Sequence, residues 1–315
     1  MRTRKYGAFT ESFIITLFLG AIAAGTPLLL AGLGEQLSEK AGVLNIGLEG
    51  MMLAGAYAGF LVAWTTGSMG LGFVGGIAAG AFIASFMVLF CVRLGLNQIV
   101  IGIALTLAVQ GLTALLHFVQ FSQTYPRLDG APKWPVWPLS EIPVLGPILF
   151  NHNPVVYVAV ILVAVFAWIY RMTHLGTALQ AAGDKPAALD ATGVDVVRTR
   201  SVAVLITGAL AGLGGAFMSV AVAGVFIPFM SHGNGFIAIV LAMLARGRPL
   251  WVLGGALLFG VSLSLATALQ VAGVNVPTDV IQMLPFAMVM LVLLIAGRKA
   301  SLPQALGESF VRGAR

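Results

Sequence analysis

The sequence predicts an all-α integral membrane protein, and three observations carry this prediction. Its 315 residues are 59% hydrophobic and only 9% charged, whereas an ordinary soluble domain has about 25% charged residues. The apolar residues form long runs, typical of transmembrane helices and unlike the alternating strands of a membrane barrel. Basic residues concentrate in short connections and at the termini, where membrane topology requires them. We expect about eight to ten transmembrane or re-entrant helices.

Apolar windows give the individual elements. Glycines within them favour close helix–helix packing in lipid, and Cys91 alone excludes a disulfide within the chain. The first window is about 20 residues long and lacks a clean cleavage site, so it predicts an uncleaved span. The predicted helices are 11–33, 44–66, 70–92, 96–120, 154–171, 200–224, 235–246, 249–271 and 279–297.

The distribution of positive charge predicts the topology. Basic residues at 2–5 and after 297 place both termini in the cytoplasm, and those in 171–200 place that segment there as well. The Pro- and Trp-rich stretch 121–153 must then lie outside. Four complete spans before it would put it inside, so we expect the segment 44–66 to enter and leave the membrane on one face.

Two polar interruptions stand out among the apolar runs. Residues 35–52, EQLSEKAGVLNIGLEGMM, combine charges with Gly and Asn, and 225–235, VFIPFMSHGNG, combines Pro, Gly and Asn. A long helix followed by a broken one in each half predicts a transporter of inverted repeats with its binding site at the breaks. We expect the charges of 35–40 near the outer surface and residues 45–49 deeper in the membrane.

Catalytic motifs are missing from the sequence. It contains no phosphate-binding G-x-x-x-x-G-K-[ST], no G-x-S-x-G and no H-E-x-x-H, and its four histidines lack metal-ligand spacing. We therefore predict a non-enzymatic chain without metal or cofactor, which cannot hold ATP phosphates by the usual loop.

The segment 175–195, LGTALQAAGDKPAALDATGVD, is too polar to span a membrane but is helical in composition. A break at 183–186 precedes a second short helix, with Pro186 in its first turn, Asp184 as its N-cap and Gly193 at its end. Physical reasoning alone leaves two interpretations, an interfacial loop without a partner or a lever that contacts a soluble subunit.

These motifs resemble a known family. The 175–195 segment is similar to the G-x-x-x-R-A-x-G-x-N-P-x-A-A-x-x-x-G-[IV] coupling segment of ABC-importer permeases of the branched-chain amino acid, ribose and nucleoside type. Gln180 and Lys185 stand where Arg and Asn are usual. The stretch GEQLSEKAGVLNIGLEGMMLAGA resembles the signature of the nucleoside branch, and SHGNGFIAIVLAMLARGRP resembles a later segment of the same family.

The resemblance implies a type II-like ABC importer permease with inverted-repeat character in the bacterial cytoplasmic (inner) membrane. It also implies a second permease chain, for which this would be the shorter member of a heterodimer, cytoplasmic ATPase subunits and an extracytoplasmic substrate-binding protein. The expected solute is a nucleoside. Simple sugars or branched-chain amino acids are the alternatives, as is an ion-coupled secondary transporter that uses Glu49.

Candidate site residues follow from the breaks and from the resemblance. For Glu49 the alternative is a structural acid that caps or pairs with a neighbouring helix, for Asn45 a helix cap, and for His232 a loop histidine facing the outer aqueous side. Asn97, Gln98 and Gln110 are pathway candidates of second rank. The candidates for the solute pathway are Asn45, Gly47, Glu49, Ser231, His232, Asn234 and Phe236, and those for ATPase coupling, within 173–199, are Gly183, Asp184, Lys185, Pro186 and Asp190.

Overall fold

The computed structural model describes residues 2–143, 145–271 and 302–310, together with single positions between 283 and 294. The predicted helix 279–297 therefore lies outside the described residues. The helices are α1 (Arg2–Lys40), α2 (Leu48–Thr66), α3 (Met69–Met87), α4 (Gln98–Phe121), α5 (Leu145–Phe150), α6 (Pro154–Met172), α7 (His174–Asp184), α8 (Pro186–Ala191), α9 (Val196–Ala216), α10 (Asn234–Ala245) and α11 (Pro249–Val271). Wider helical turns extend α3 over Val88–Arg93 and α9 over Phe217–Ala223, and strands β1 (Trp134–Pro135) and β2 (Asn151–His152) pair antiparallel.

The membrane class predicted from composition is confirmed. Among the described residues, six helices are long and apolar enough to cross a bilayer, and two shorter apolar helices accompany them. The windows from 44–66 to 249–271 that predicted spans match helices α2 to α4, α6 and α9 to α11 to within a few residues.

Side-chain caps fix where several of these helices begin. Asn97 and Asn153 accept hydrogen bonds from the first free backbone N–H groups of α4 and α6, and Asp195 does the same for α9. Such caps satisfy N–H groups that have no partner within the helix. The polar residues that precede these apolar runs therefore fix where α4, α6 and α9 begin.

Glycines bring three helices into backbone contact. Gly212 on α9 lies against the backbone of Gly55 on α2 and of Gly80 on α3, and a side-chain carbon at any of these positions would overlap the neighbouring main chain. Van der Waals packing through small residues is a main source of helix association in lipid. The glycine pattern in the sequence is thus explained by helix packing.

The two halves of the chain are related by an inverted arrangement. The long helices α1 and α9 run antiparallel, with Gly34 beside Thr207 and Pro27 beside Gly214. Helix α3 packs antiparallel on α9 as α11 does on α1, and the broken helix of each half runs parallel to the long helix of the other. The predicted inverted-repeat character is therefore visible in the packing.

The charged part of the first interruption does not lie in a break. Helix α1 continues to Lys40, so residues 35–40 form its last turns, and only 41–47 leave helical geometry. Glu35 is completely buried and Glu39 is 5% exposed. Lys40 lies beside Gly183 and Gly247, at the end of the molecule where α7 and α8 lie, here called the α7–α8 end. The expectation that the charges of 35–40 lie near the outer surface is wrong, because they lie at the end that carries the predicted coupling segment.

Helix α2 is a complete span and not a re-entrant segment. Its 19 residues measure about 28 Å, close to the thickness of a bilayer core. It runs parallel to α9, with Gly55 beside Gly212 and Gly59 beside Ala216, and the chain returns through α3. The prediction that 44–66 enters and leaves on one face is therefore wrong.

The orientation of α1 resolves the topology problem instead. Its start lies at the opposite end of the molecule from its last turn, because Leu17 accepts a hydrogen bond from Ser264 late in α11. Residues 302–310, in contrast, pack at the α7–α8 end, where the Gly307 N–H donates to Gly42. The start of α1 and residues 302–310 thus lie at opposite ends of the described structure, in conflict with the prediction that both termini share one side.

The stretch 121–153 forms a compact cap at the end opposite α7 and α8. Its Leu128 N–H donates to the Gly224 carbonyl, 2.7 Å away, where α9 ends. β1 and β2 pair Trp134 with His152, and α5 precedes β2. This cap and the α7–α8 segment lie at opposite ends, as the charge pattern predicted.

Candidate translocation site

The two broken segments meet inside the molecule. Residues 41–47 approach from the α7–α8 end and 224–233 approach from the other end, so α2 and α10 begin next to each other. Glu49, in the first turn of α2, bridges them: its Oε1 accepts the Gly233 N–H at 2.8 Å and its Oε2 accepts the Gly235 N–H at 2.6 Å.

The chemistry of helix termini explains this contact. The first N–H groups of a helix have no intrahelical partner and carry a partial positive charge, so a carboxylate there is stabilised. Gly233 adopts φ +83°, which suits glycine. A side-chain carbon on Gly235 would lie 2.5 Å from the Glu49 Cα atom. Both glycines are thus needed for the bridge.

Glu49 consequently has the structural role that we gave as its alternative. Its side chain is 1% exposed and both oxygens are engaged by α10. It caps a neighbouring helix and fixes the junction of the two breaks.

Asn45 and Gly47 shape the first break. Asn45 is fully buried, its N–H donates to Glu35 Oε1 at 3.0 Å, and its Nδ2 contacts the sulfur of Met51. Gly47, not Asn45, is the residue that precedes α2, so the helix-cap alternative for Asn45 is wrong. Gln98 holds the break from the other side, because its Oε1 accepts the Leu44 N–H at 2.8 Å.

The candidates in the second break separate into two groups. Ser231 is 1% exposed and belongs to the interior, whereas Phe236 is 44% exposed and His232 is also exposed. Asn234 is half-buried, and its Nδ2 lies 3.9 Å from the Met218 sulfur. The structure therefore brings Asn45, Gly47, Glu49 and Ser231 into the interior, while His232 and Phe236 face the surface of this chain.

The second-rank candidates also differ. Asn97 caps α4, accepting N–H groups of Ile99 and Val100 at 3.0 and 3.1 Å, which is a structural role. Gln98 is 5% exposed and belongs to the first break. Gln110 is half-buried in the middle of α4.

The segment 173–199 has the helix–break–helix form that the sequence predicted. Lys185 separates α7 from α8, Pro186 opens α8, and Gly193 follows it with φ +85°. Asp184 is the last residue of α7, and Lys185 takes the position before α8 without a side-chain cap. The prediction that Asp184 caps α8 is therefore wrong.

The coupling candidates are anchored to the rest of the chain through Gly183. Its Cα lies against the Lys40 carbonyl and Gly42, and its own carbonyl accepts the Ala305 N–H at 2.8 Å. Lys185 is exposed, and Pro186 and Asp190 are half-buried. The outer face of α8 is therefore open, while its attachment is rigid.

Sequence reasoning missed Arg200 and the segment 302–310. Arg200 is 3% exposed, and its guanidinium donates to the carbonyls of Ala182, at 3.0 Å, and Glu308, at 2.6 Å. Its charge was interpreted only as a topology signal. The second of two Arg residues at the start of a helix that then becomes apolar was the available indication of a buried partner.

Antiparallel long helices, each followed by a break and a second helix that begins at a shared polar junction, are typical of a membrane transport permease. Comparison with known proteins identifies the family. Residues 17–293 match the family described as "Branched-chain amino acid transport system / permease component", and the chain belongs to it. The family membership inferred from the sequence motifs is confirmed.

Several curated relatives resemble the chain over most of its length. A putative glucose ABC transporter permease of Haloferax volcanii is 40% identical over 79% of this chain and 76% of its own. A nucleoside ABC transporter permease of Lactococcus lactis is 32% identical over 91% of this chain and 94% of its own. A guanosine ABC transporter permease of Bacillus subtilis is 31% identical over 92% and 94%, respectively.

Proposed function

We propose that this chain is the translocation subunit of an ATP-driven importer of nucleosides. The observation that carries the proposal is the pair of broken segments joined by Glu49, in a chain that two nucleoside-type permeases match over 91% and 92% of its length. A neutral solute needs hydrogen-bonding groups in its pathway, and broken helices supply them without an unpaired charge.

Uptake of a simple sugar is the second candidate. The relative named as a putative glucose permease is 40% identical to this chain, although it covers only 79% of it. Ion-coupled transport is disfavoured, because both oxygens of Glu49 already accept backbone N–H groups and the residue is 1% exposed.

The proposed assembly follows from the exposed surfaces. The exposed His232 and Phe236, with half-buried Asn234 beside them, would face a second, different permease chain, so that the pathway forms between the two. The open face of α8 would contact a cytoplasmic ATPase, and the cap of residues 121–153 would contact an extracytoplasmic binding protein. Closure of the ATPases would then move α7 and α8 and rock the long helices.

The proposed orientation in the bacterial cytoplasmic membrane places the α7–α8 end, and with it residues 302–310, in the cytoplasm. Three basic residues lie in 171–198, at or near this end, which agrees with the positive-inside rule. Because α1 runs from one end to the other, its start would lie outside.

Uptake in cells tests this function. Cells that express the chain with its partner subunits should accumulate labelled guanosine, and unlabelled nucleosides should compete while leucine does not. An ATPase chain should co-purify with the permease. Uptake that stops on collapse of the ion gradient while cellular ATP is intact would contradict ATP-driven transport, and competition by glucose but not by nucleosides would favour the second candidate.

A further inference from the structure

A polar cavity of about 380 Å³ lies at the α7–α8 end, between α1, α7, α10 and residues 302–304. Its volume lies within the usual range for small-molecule sites, about 300–1,000 Å³. Two other cavities, of about 430 and 510 Å³, are lined mostly by apolar side chains and suit lipid chains. The polar side chains in the wall of this cavity include Gln36, Glu39, Lys40, Gln180, Asp184 and Lys185.

Two of its lining side chains are buried without a hydrogen-bond partner. Both polar atoms of the Gln36 amide, and Oε1 of Glu39, have none within the described part of the chain, and the two residues are 0% and 5% exposed. Burying such groups unpaired is costly. A chain that keeps an amide and a carboxylate here, in the wall of a cavity, retains hydrogen-bonding capacity for a ligand.

The charges around the cavity are mixed. Glu39 and Asp184 are acidic, Lys40, Lys185 and Arg246 are basic, and the Lys40 ammonium lies 4.7 Å from the centre of the Tyr170 ring. Both signs are present in the lining, which favours a neutral, polar ligand over an anion or a cation. A carboxylate can accept hydrogen bonds from two hydroxyl groups, whereas an amide can both donate and accept hydrogen bonds.

From these observations we infer that the cavity binds a polyhydroxylated ring, the group that a hexose and the ribose of a nucleoside share. Gln36 and Glu39 hold neighbouring hydroxyl groups, and the bound solute lies between α1 and the coupling segment. The inference rests on the proposed function and names a solute-binding position on the side from which imported solute would leave.

Protection of an introduced cysteine tests the cavity directly. In a C91S background, the exposed cavity residue Gln180 is replaced (Q180C), and Thr177, exposed on α7 but outside the cavity lining, provides the matched control (T177C). The full-length chain in detergent is labelled with a maleimide with or without millimolar guanosine, glucose or leucine. Guanosine and glucose should slow labelling of Q180C at least threefold, leucine should not, and T177C should be unaffected.

Variants of the proposed ligand groups complete the test. In the Q180C protein, the additional substitutions Q36L and E39Q should each raise at least fivefold the glucose concentration that halves the labelling rate. In the T177C protein, the same substitutions should leave the labelling rate unchanged, which shows that the fold is intact. Equal slowing of Q180C and T177C, protection by leucine, or unchanged protection in both variants would overturn the inference. If cells import guanosine but Q180C is never protected, the proposed function stands and this binding site does not.

Discussion

Glu49 is a buried acid whose role follows from its neighbours. In the middle of a membrane an unpaired carboxylate is expensive, yet here two backbone N–H groups at the start of α10 pair with it, at 2.8 and 2.6 Å. One side chain therefore joins the first half of the chain to the second.

Replacement of Glu49 by Gln should break this junction. An amide presents one accepting oxygen and one donating nitrogen to two N–H groups, so one bond is lost and a donor faces a donor. Hydrogen bonds to charged groups contribute about 1.5–3 kcal/mol each, and we expect a lower melting temperature in detergent and at least a tenfold loss of uptake. The matched control is E141Q, an exposed acid in the 121–153 cap. Parental stability and uptake in E49Q would contradict the bridging role.

Asn97 should behave as a helix cap and not as a pathway residue. Its side chain accepts the N–H groups of Ile99 and Val100, and replacement of an N-cap by Ala costs about 1 kcal/mol. N97A should lower the melting temperature without changing the KM of uptake, and N97S, which keeps a capping oxygen, should restore stability. A changed KM of uptake in the folded N97A protein would instead indicate that Asn97 lies in the solute pathway.

The sequence predicted the positions of the two breaks but not the contact between them. The glycines and amides of the breaks stood out because such residues are rare within membrane spans. The partner of Glu49 is 184 residues away in the chain, and no local pattern indicates a contact at that separation. The structural alternative for Glu49 was nevertheless available, because intramembrane acids usually pair.

At the scale of elements, α7 and α8 are fixed to the membrane helices by a junction of four chain segments. Arg200 donates to Ala182 and Glu308, while Ala305 and Gly307 donate to Gly183 and Gly42. Residues 302–310 thus act as a strap that ties the end of α7 to the turn between α1 and α2. We therefore expect a displacement of α8 to be passed to α1 and α9 together.

Loss of Arg200 should loosen this junction and uncouple transport. R200A removes both hydrogen bonds and leaves two carbonyls unpaired, so ATP hydrolysis by the assembled transporter should continue while uptake falls at least fivefold. The control is R198A, because Arg198 is exposed on the same helix. G183A, whose new side-chain carbon would meet the Lys40 carbonyl, should act like R200A.

Two outcomes decide this prediction. An equal fall of ATP hydrolysis and uptake in R200A would indicate loss of the folded protein, which proteolytic protection of residues 302–310 in the same membranes reports independently. Unchanged uptake per ATP hydrolysed in both R200A and G183A would contradict transmission through the junction.

For the whole molecule, the sequence predicted which segments are helices but not the orientation of α1 and α2 in the membrane. Apolar length and polar ends specify each span locally. The end of α1 was misplaced, because Glu35 and Glu39 suggested a break although both continue the helix and are buried. The error in the number of spans has another source: the basic residues at 2–5 placed the start of α1 in the cytoplasm, which put the first interruption at the wrong end of the molecule.

The basic residues at 2–5 predict a cytoplasmic N-terminus, whereas the packing of α1 predicts that its start lies outside. Labelling of cysteines in cells decides between these two topologies. In a C91S background, K40C and T177C should resist a membrane-impermeant maleimide in intact cells and react after permeabilisation, because Lys40 lies at the α7–α8 end. T66C, exposed at the far end of α2, should react in intact cells, and an N-terminal epitope should be accessible there as well. Labelling of K40C together with T66C, and a protected epitope, would restore the re-entrant arrangement. The expected result would mean that interactions along α1, from Ser264 at one end to Gly183 at the other, override three basic residues at the N-terminus.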